Sequence, residues 1–444
     1  MQGLIQLNEA KTGFVDVLTG APFVPFGANY YDHETGWAPQ IWKLFNEKRV
    51  REQFLLMKHY GINTARFFIA STAFMPEKGR VSEQALEKFD KFLAIARETG
   101  VRVIPTGPDH WEGVPDFYQP DMFCGEDALE ALEAYWAVMA ARYKDDPAIF
   151  AWDLRNEPMV GWDSAPMRAG WQRYLKDKYG CQKQLAAAWN GELGGEESLA
   201  DGTVAIPEDA VDEDNPRLYD YQLYRERIAF DWTRRQVEVI RRAGDRHLVT
   251  IGYIQWSFPT HVGQRTPSGY GAFRPSVLSE LLDFDCAHFY PMFGNPAEPG
   301  CKRANVAYLK DWLRYCDLSR PVVLEEFGWY GGGAINEQQP FRTLEEQLDW
   351  DVTLMEATIG LASGWLNWPF ADTPSSTDMS KFGGLVTSHL QPKPWGEAFR
   401  AYAEKLTPGD TPFSPERVQL TYSEAEFRRL VTGGGDTARY TQLL

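Results

Sequence analysis

Two glutamates stand at the ends of short hydrophobic runs, where they could do acid–base and nucleophilic chemistry. Glu157 ends the run IFAWDLRNE, and Glu326 lies in the run PVVLEEFG. If both runs are parallel strands of one barrel, their carboxyl ends meet at the same rim. One protonated and one ionised carboxyl group about 5–5.5 Å apart can cleave a glycosidic bond by double displacement. The alternative is a structural role, in which the two carboxylates pair with Arg66 and Arg155.

Eight such runs occur along the chain, and each is predicted to be followed by helical sequence. The predicted strands are 23–29, 63–69, 101–106, 149–157, 247–253, 284–290, 321–328 and 364–368. The predicted helices are 44–60, 82–99, 126–144, 165–179, 216–243, 303–317, 341–362 and 393–405. Continuous apolar runs are typical of parallel strands covered by helices. The pattern predicts an α/β fold, a (β/α)8 TIM barrel. An open doubly wound sheet is the alternative, but the stretch GANYYD after the first strand is not a Gly-rich phosphate loop.

Two further segments are predicted to flank the barrel. Residues 14–26 have the pattern of a hairpin that turns at Thr19-Gly20 and would plug the bottom of the barrel. Residues 407–444 contain a strand-like segment, RVQLTYS, and a run of three glycines. We therefore expect one catalytic domain over residues 1–406 and a small C-terminal extension on or beside it.

Taken together, the strand-end residues resemble glycoside hydrolase clan A, and within it family 5, the cellulases and β-mannanases. RNEP (155–158) and EFG (326–328) resemble the two catalytic signatures of that clan. The resemblance covers residues 14–405 and extends to the first-strand stretch GANY (27–30), Arg66, the pair His288-x-Tyr290, and Trp368. The stretch KYGCQKQLAAAWN (178–190) also resembles a feature of clan A β-galactosidases.

The resemblance implies a role for each of these residues. Glu157 would be the acid/base and Glu326 the nucleophile, while Asn156 would bond the 2-hydroxyl of the sugar. Tyr290 would orient Glu326, and Arg66 would keep it ionised. The other residues expected to bind substrate are His288 near Glu157, Trp368 beneath the −1 sugar, Asn29, Trp111 and His110, for which a solvated loop position is the alternative.

Glu325, the neighbour of the expected nucleophile, is predicted to be a structural charge. Side chains alternate along a strand, so Leu324 and Glu326 would share one face while Val323 and Glu325 share the other. The EFG motif also selects Glu326. The resemblance further implies a cis peptide bond after the strand-8 tryptophan, and Pro369 stands at that position.

Composition narrows the classes of partner. The chain of 444 residues has a formal net charge of −17 and no Lys/Arg-rich run, which disfavours nucleic acid and anionic membranes as partners. Its 16 Trp suit a site that stacks on sugar faces, although core packing is the alternative. The five Cys lack metal or disulfide spacing, and neither HExxH nor GxSxG is present. We expect no metal and no cofactor, and a cytoplasmic location, since no signal peptide is visible.

The expected substrate is a short β-linked, in particular β-1,4-linked, manno-oligosaccharide or β-mannoside. Long loops after the third, fifth and eighth strands (107–125, 254–275 and 369–384) could narrow a groove into a pocket and favour exo-cleavage. The alternatives are an endo-β-1,4-mannanase, a β-glucosidase or endoglucanase of the same family, and a non-catalytic sugar-binding relative. The sequence leaves mannose, glucose and galactose, and the oligomeric state, undecided.

Overall fold

Eight of the short hydrophobic runs form parallel strands that close into a barrel. The computed structural model describes residues 2–36, 40–109, 113–191, 193–260, 266–409 and 412–444. The strands are β1 (Ile5–Leu7), β2 (Phe14–Asp16), β3 (Pro22–Phe23), β4 (Phe26–Asn29), β5 (Thr64–Ala70), β6 (Arg102–Asp109), β7 (Ala151–Asn156), β8 (Leu248–Tyr253), β9 (Asp285–Phe289), β10 (Val322–Phe327) and β11 (Gly364–Asn367). Strands β4 to β11 pair in parallel as a closed barrel in the order β10-β11-β4-β5-β6-β7-β8-β9. The predicted TIM barrel is confirmed, and each predicted strand overlaps an observed one.

Helices surround this barrel, and their ends follow local signals. They are α1 (Gln40–Lys43), α2 (Glu47–His59), α3 (Ser71–Phe74), α4 (Glu83–Thr99), α5 (Glu126–Tyr143), α6 (Ala165–Tyr179), α7 (Gln182–Ala188), α8 (Pro216–Arg242), α9 (Pro275–Leu278), α10 (Pro299–Tyr315), α11 (Leu344–Thr358), α12 (Pro394–Leu406), α13 (Glu424–Thr432) and α14 (Ala438–Thr441). Helix α4 begins after Ser82, whose side chain accepts from the amide of Ala85, and ends at Gly100 in the left-handed region. A capping box of Thr343 and Glu346 begins α11.

The connection after β8 differs from the prediction. Its described residues contain only two 3₁₀ turns, Gln255–Ser257 and Pro267–Gly269, and the four-residue helix α9 before β9 begins. Proline and glycine are frequent in this stretch, and both disfavour helix interiors. The expectation that every strand is followed by a full helical segment is therefore wrong here.

The N-terminal segment closes the bottom of the barrel. Strand β2 pairs with β3 in the predicted hairpin, and β1, which was not predicted, pairs with the other edge of β2. The ring of Phe14 lies 5.1 Å from the rings of both Phe150 and Phe284, in edge-on contact. An apolar floor results, to which the strands also contribute Ile5, Ile104, Leu248, Val323 and Leu366.

Above this floor the barrel interior changes from apolar to ionic. Arg66, Asp153, His288 and Glu325 are all fully buried there. Burying an unpaired charge is expensive, so a layer of this kind is stable only if its charges compensate one another. The layer lies directly beneath the mouth of the barrel and determines the electrostatics of that mouth.

The C-terminal extension packs as helices on the outer surface of the barrel. The predicted strand RVQLTYS is wrong, because residues 417–423 form no strand and lead into α13, where Ser423 and Glu426 make a capping box. A closed barrel also offers no free strand edge to pair with. The extension contacts α10 through a 2.9 Å hydrogen bond from the Tyr440 hydroxyl to Asp311. Across the described ranges, no helix is long and apolar enough to cross a membrane.

Candidate active site

A pocket of about 360 Å³ opens at the carboxyl ends of the barrel strands. Its volume lies within the usual range for small-molecule sites. Among the described residues, the ends of β7 and β10 and the loops after β7, β9, β10 and β11 line it with Asn156, Glu157, Tyr290, Pro291, Glu326, Trp329, Gln339, Trp368, Asp378 and Met379. The two glutamates singled out from the sequence therefore face the same cavity.

Glu157 and Glu326 approach each other across this pocket. One carboxylate oxygen of each lies within 4.8 Å of the other. The Glu157 side chain is 24% exposed, whereas that of Glu326 is 5% exposed. Glu157 has a φ of 45°, in the left-handed region that non-glycine residues rarely adopt, and its amide donates to the Gly252 carbonyl. Such unfavourable backbone is typical of functional sites.

The Glu326 carboxylate is held from two sides. The Arg66 guanidinium donates to Oε1 at 2.5 Å, and the Tyr290 hydroxyl donates to Oε2 at 2.8 Å. Burial and the charge of Glu157 hold the pKa of Glu326 above its ordinary value, although the positive charges of His288 and Arg66 and the Tyr290 hydrogen bond act in the opposite direction. The site thus offers a buried carboxylate whose ionised form is stabilised by two cations and a hydroxyl.

Arg66 is the centre of the buried ionic layer. Its guanidinium donates to Asn29 Oδ1 at 2.9 Å, to Asn156 Oδ1 at 2.8 Å and twice to Asp153 Oδ2. The Asn29 amide nitrogen donates in turn to the Glu325 carbonyl. Asn29 therefore lies beneath the pocket as a support for Arg66 and is not among the residues that line the cavity, where sequence reasoning had placed it as a substrate contact.

His288 connects the two catalytic candidates to the layer below them. Its Nδ1 lies 3.0 Å from Glu157 Oε1 and 3.5 Å from Glu326 Oε1, and its Nε2 lies 3.2 Å from Glu325 Oε2. Burial lowers the pKa of His288, but the surrounding carboxylates outweigh it and raise that pKa to about 10. In the doubly protonated ring, both nitrogens can donate a hydrogen bond to a carboxylate oxygen.

Strand alternation predicts that Glu326 shares the face of Leu324, but Glu326 lies on the inner face together with Val323 and Glu325. The pairing register of β10 shifts after Leu324, both against β9 and against β11. Leu324 packs in the core outside the barrel, but Glu325 and Glu326 both contact Arg66 inside it. The irregularity breaks the period of two, so consecutive glutamates enter the interior at two heights.

Trp368 forms one wall of the pocket. Its indole Nε1 donates to the Ser380 hydroxyl at 3.0 Å, and its ring packs near those of Tyr31 and Phe68. The Trp368–Pro369 peptide bond is cis, as predicted. The other two predicted binding residues, His110 and Trp111, lie outside the described residues.

Comparison with known proteins finds glycoside hydrolases among the proteins that are similar to this chain. A family model described as Beta-galactosidase, of glycoside hydrolase family 42, matches residues 126–328. A probable mannan endo-1,4-beta-mannosidase C of Aspergillus terreus is 27% identical over 337 residues, which are 70% of this chain and 68% of that protein. The chain is thus similar in sequence to glycoside hydrolases.

Solved structures share the fold of this chain at low sequence identity. The exo-beta-1,4-mannosidase Op5Man5 from Opitutaceae bacterium strain TAV5 is 19% identical, with a TM-score of 0.62 over 90% of this chain. GH5_18 from Streptomyces cattleya, in complex with Manβ1-4GlcNAc, is 17% identical, with a TM-score of 0.62 over 93% of this chain and 89% of that chain. The chain spans 62% of the length of the Opitutaceae protein.

Several residues that line the pocket were not found from the sequence. Trp329 and Gln339 come from the loop after β10, which sequence reasoning did not single out, whereas Asp378 and Met379 come from the loop after β11, which it did. Asp153 was also missed, although its position four residues before Glu157 on a strand was the available signal. Loop residues carry no periodic pattern, so only the fold assigns them to the pocket.

A metal ion could in principle be held by the same groups that form the candidate pair. Among the described residues, three side chains place ligand atoms within 4.8 Å of one another: Glu157, His288 and Glu326. Both nitrogens of His288 already face carboxylates, and its pKa is raised. A histidine that binds a metal must be a neutral imidazole, and the raised pKa of His288 disfavours that form.

Proposed function

We propose that the protein is a retaining, exo-acting β-mannosidase that acts on short β-1,4-linked manno-oligosaccharides or related β-mannosides. The observation that carries the reaction type is the separation of the two carboxylates, whose oxygens lie within 4.8 Å. Retaining enzymes need about 5–5.5 Å between the groups, whereas inverting enzymes need about 6.5–9.5 Å to admit a water molecule.

Glu326 is the nucleophile and Glu157 the acid/base in this mechanism. Glu326 attacks the anomeric carbon while Glu157 gives its proton to the leaving oxygen, so the glycosidic bond breaks as a glycosyl ester forms. A water molecule then attacks the anomeric carbon, its proton passes to Glu157, and Glu326 leaves as a carboxylate. The exposure pattern supports these roles, because the more exposed Glu157 can reach both the leaving group and water.

The remaining lining residues position the sugar. Since the Asn156 carbonyl oxygen accepts from Arg66, its amide nitrogen is left to donate to a sugar hydroxyl. Trp368 provides a flat apolar surface for the ring in the −1 site. Trp329, Gln339 and Asp378 extend the wall with one indole and two hydrogen-bonding groups.

The choice of a mannoside as substrate and the choice of exo cleavage are supported by different observations. The sequence relative is named as an endo-mannosidase, but two structural neighbours are an exo-mannosidase and a protein complexed with a mannosyl disaccharide. A pocket of about 360 Å³ favours the end of a short chain over the middle of a long one. A β-galactosidase is the second candidate, because the family model over residues 126–328 carries that description.

The stereochemistry and the two roles can be tested with one activated substrate. Proton NMR of the first product from 4-nitrophenyl β-mannoside should show the β anomer. Early α anomer would rule out the double displacement. Glu326→Gln should lose at least about 10³-fold in kcat, while Glu157→Gln should retain much more activity on 2,4-dinitrophenyl β-mannoside than on manno-oligosaccharides, because that leaving group needs no proton.

The substrate needs a separate panel. Manno-, cello- and galacto-configured β-1,4 oligosaccharides of two to six units should be compared by kcat/KM, with products resolved by chromatography. We expect mannose as the first and dominant product from mannohexaose. Internal cleavage to dimers and trimers would favour an endo-mannanase, and a preference for 4-nitrophenyl β-galactoside would favour the second candidate.

A further inference from the structure

A carboxylate that the proposed mechanism does not use lies directly beneath the catalytic pair. Glu325 has no exposed surface, and its Oε2 lies 3.2 Å from His288 Nε2 and 3.4 Å from Arg66 Nε. Burial raises the pKa of Glu325, but Arg66 and His288 outweigh it, so that its net pKa is below the ordinary value. Glu325 is therefore a permanently buried anion between two cations.

Strand β8 leaves room for this contact. A Cβ atom on Gly252 would lie 2.7 Å from His288 Nε2, 2.9 Å from Arg66 Nη2 and 2.9 Å from Glu325 Oε2. The three polar side chains thus converge on the bare backbone of one glycine. A methyl group at this position would push the three side chains apart, so their contact depends on the absence of a side chain at Gly252.

We propose that Glu325 is a positioning residue that keeps His288 doubly protonated, so that His288 stabilises the carboxylate of Glu157 as its proton leaves for the substrate. The inference rests on the proposed acid/base role of Glu157. With Nε2–H donating to Glu325, the ring is fixed in the orientation that directs Nδ1–H to Glu157 Oε1 at 3.0 Å. An imidazolium there lowers the energy of the anion that forms during proton transfer.

Glu325 can do this throughout the catalytic cycle, whereas the other carboxylates near His288 cannot. Glu326 becomes a neutral ester in the first step, and Glu157 gains and loses a proton in each turnover. Glu325 reacts with nothing, so the imidazolium keeps one anion in both steps. Among the described residues, the charged groups that act on His288 are Glu157 at the end of β7, Glu325 and Glu326 from β10, and Arg66 from β5. Asp153 on β7 and Cys286 on β9 interact with Glu325 in turn.

A leaving-group series tests the inference. Glu325→Gln keeps the shape of the side chain and removes its charge. On phenyl β-mannoside, whose leaving group needs a proton, kcat/KM should fall about 10²-fold, within the range of general-acid contributions. On 2,4-dinitrophenyl β-mannoside the loss should stay below about 3-fold, since protonation is not needed. An equal loss on both substrates would mean a purely structural role and would overturn the proposal.

The matched control is Glu226→Gln. Glu226 is also buried, pairs with the cation of Arg274 and accepts a hydrogen bond from the Tyr270 hydroxyl. It lies on α8, outside the barrel. Glu226→Gln should leave the ratio of kcat/KM between the two substrates unchanged. If that ratio changed as much in Glu226→Gln as in Glu325→Gln, general destabilisation would explain the effect.

A second measurement does not depend on activity. In nitrogen-15 NMR of the wild-type protein, assigned with His288→Gln, both His288 ring nitrogens should be protonated at pH 8. In Glu325→Gln the midpoint of that titration should fall by about one unit or more, because an adjacent anion is lost. A singly protonated ring in the wild type would overturn the proposal even if the Gln variant failed to fold. Inactivity on every glycoside would instead reject the proposed function and leave this titration as the test of the contact.

Discussion

At the scale of single residues, the candidate site depends on hydrogen bonds that favour one ionisation state. Tyr290 is an example, because its hydroxyl donates to Glu326 Oε2 at 2.8 Å. A phenylalanine at this position would lack that hydroxyl. A donor to a carboxylate stabilises the anion and lowers its pKa. Its contribution therefore appears in the pH dependence as well as in the rate.

Tyr290→Phe should raise the pKa of Glu326. The acidic limb of the kcat/KM profile reports ionisation of the nucleophile in the free enzyme, so it should move to higher pH. Losing a hydrogen bond to a charged group costs about 1.5–3 kcal/mol, which corresponds to a roughly 10- to 150-fold lower kcat/KM at neutral pH. The measurement is a kcat/KM profile from pH 4 to 9 on 4-nitrophenyl β-mannoside.

Tyr253→Phe is the control for this change. Tyr253 is buried on β8, and its hydroxyl has no hydrogen-bond partner among the described residues. The same chemical change should leave the acidic limb in place. If Tyr290→Phe moved no limb either, the hydroxyl would have no part in the ionisation of Glu326.

At the scale of elements, the loop after β11 is attached to the barrel by a buried ion pair. Lys393 Nζ lies 3.1 Å from Asp372 Oδ1 and donates to the Phe382 carbonyl at 2.6 Å, while Asp372 accepts from the Gly384 amide. Burial raises the pKa of Asp372 to about 6, although Lys393 acts against it. The loop between them carries Asp378 and Met379, which line the pocket, and Ser380, which accepts the Trp368 indole N–H.

Lys393→Met should destabilise the protein by about 3–5 kcal/mol at neutral pH, because it leaves Asp372 buried without its cation. Thermal unfolding and limited proteolysis between residues 373 and 390 should both show the effect. In Lys48→Met, which removes one partner of an exposed pair 3.8 Å apart on α2, the change should be below about 1 kcal/mol. Equal effects in the two variants would contradict the anchoring role.

At the scale of the whole molecule, several buried carboxylates make stability depend on pH. Asp285, at the start of β9, is fully buried and accepts one hydrogen bond, from the Asp317 amide, while its Oδ1 has no partner among the described residues. Burial raises its pKa to about 7. In the unfolded chain an aspartate titrates near about 3.9.

The sign of the effect follows from this raised pKa. The neutral form is favoured in the fold, so the contribution of Asp285 to stability is complete below about pH 4 and is lost as the pH rises through about 7. Asp285→Asn removes the buried charge. Relative to the wild type, its melting temperature should rise between pH 4 and pH 8, by at most the equivalent of about 4 kcal/mol.

Calorimetry over that pH range checks the prediction, with Asp177→Asn on the exposed side of α6 as the matched substitution. A difference between Asp285→Asn and wild type that stays constant with pH would contradict it. The folded state would then not resist ionisation of this aspartate.

Much of the fold and part of the site follow from local patterns in the chain. Hydrophobic runs of strand length alternating with amphipathic helices predict the barrel, because a parallel strand buried on both faces must be apolar. The barrel in turn places the ends of β7 and β10, and hence Glu157 and Glu326, at one rim. The C-terminal extension was predicted less accurately than the barrel. A strand-like composition at residues 417–423 does not show whether a free sheet edge is available for pairing.

Only the tertiary structure decides what surrounds the two glutamates. The register shift after Leu324 turns Glu326 inward beside Glu325, against the alternation that a regular ladder would give. His288 and Arg66 contact Glu325 from two other strands, and Asp153 on a third strand pairs with Arg66, so no spacing along the chain reports these contacts. Trp329 and Asp378 reach the pocket from separate loops. Local sequence encodes periodicity, whereas contacts between distant residues arise only when the barrel closes and its interior charges must compensate one another.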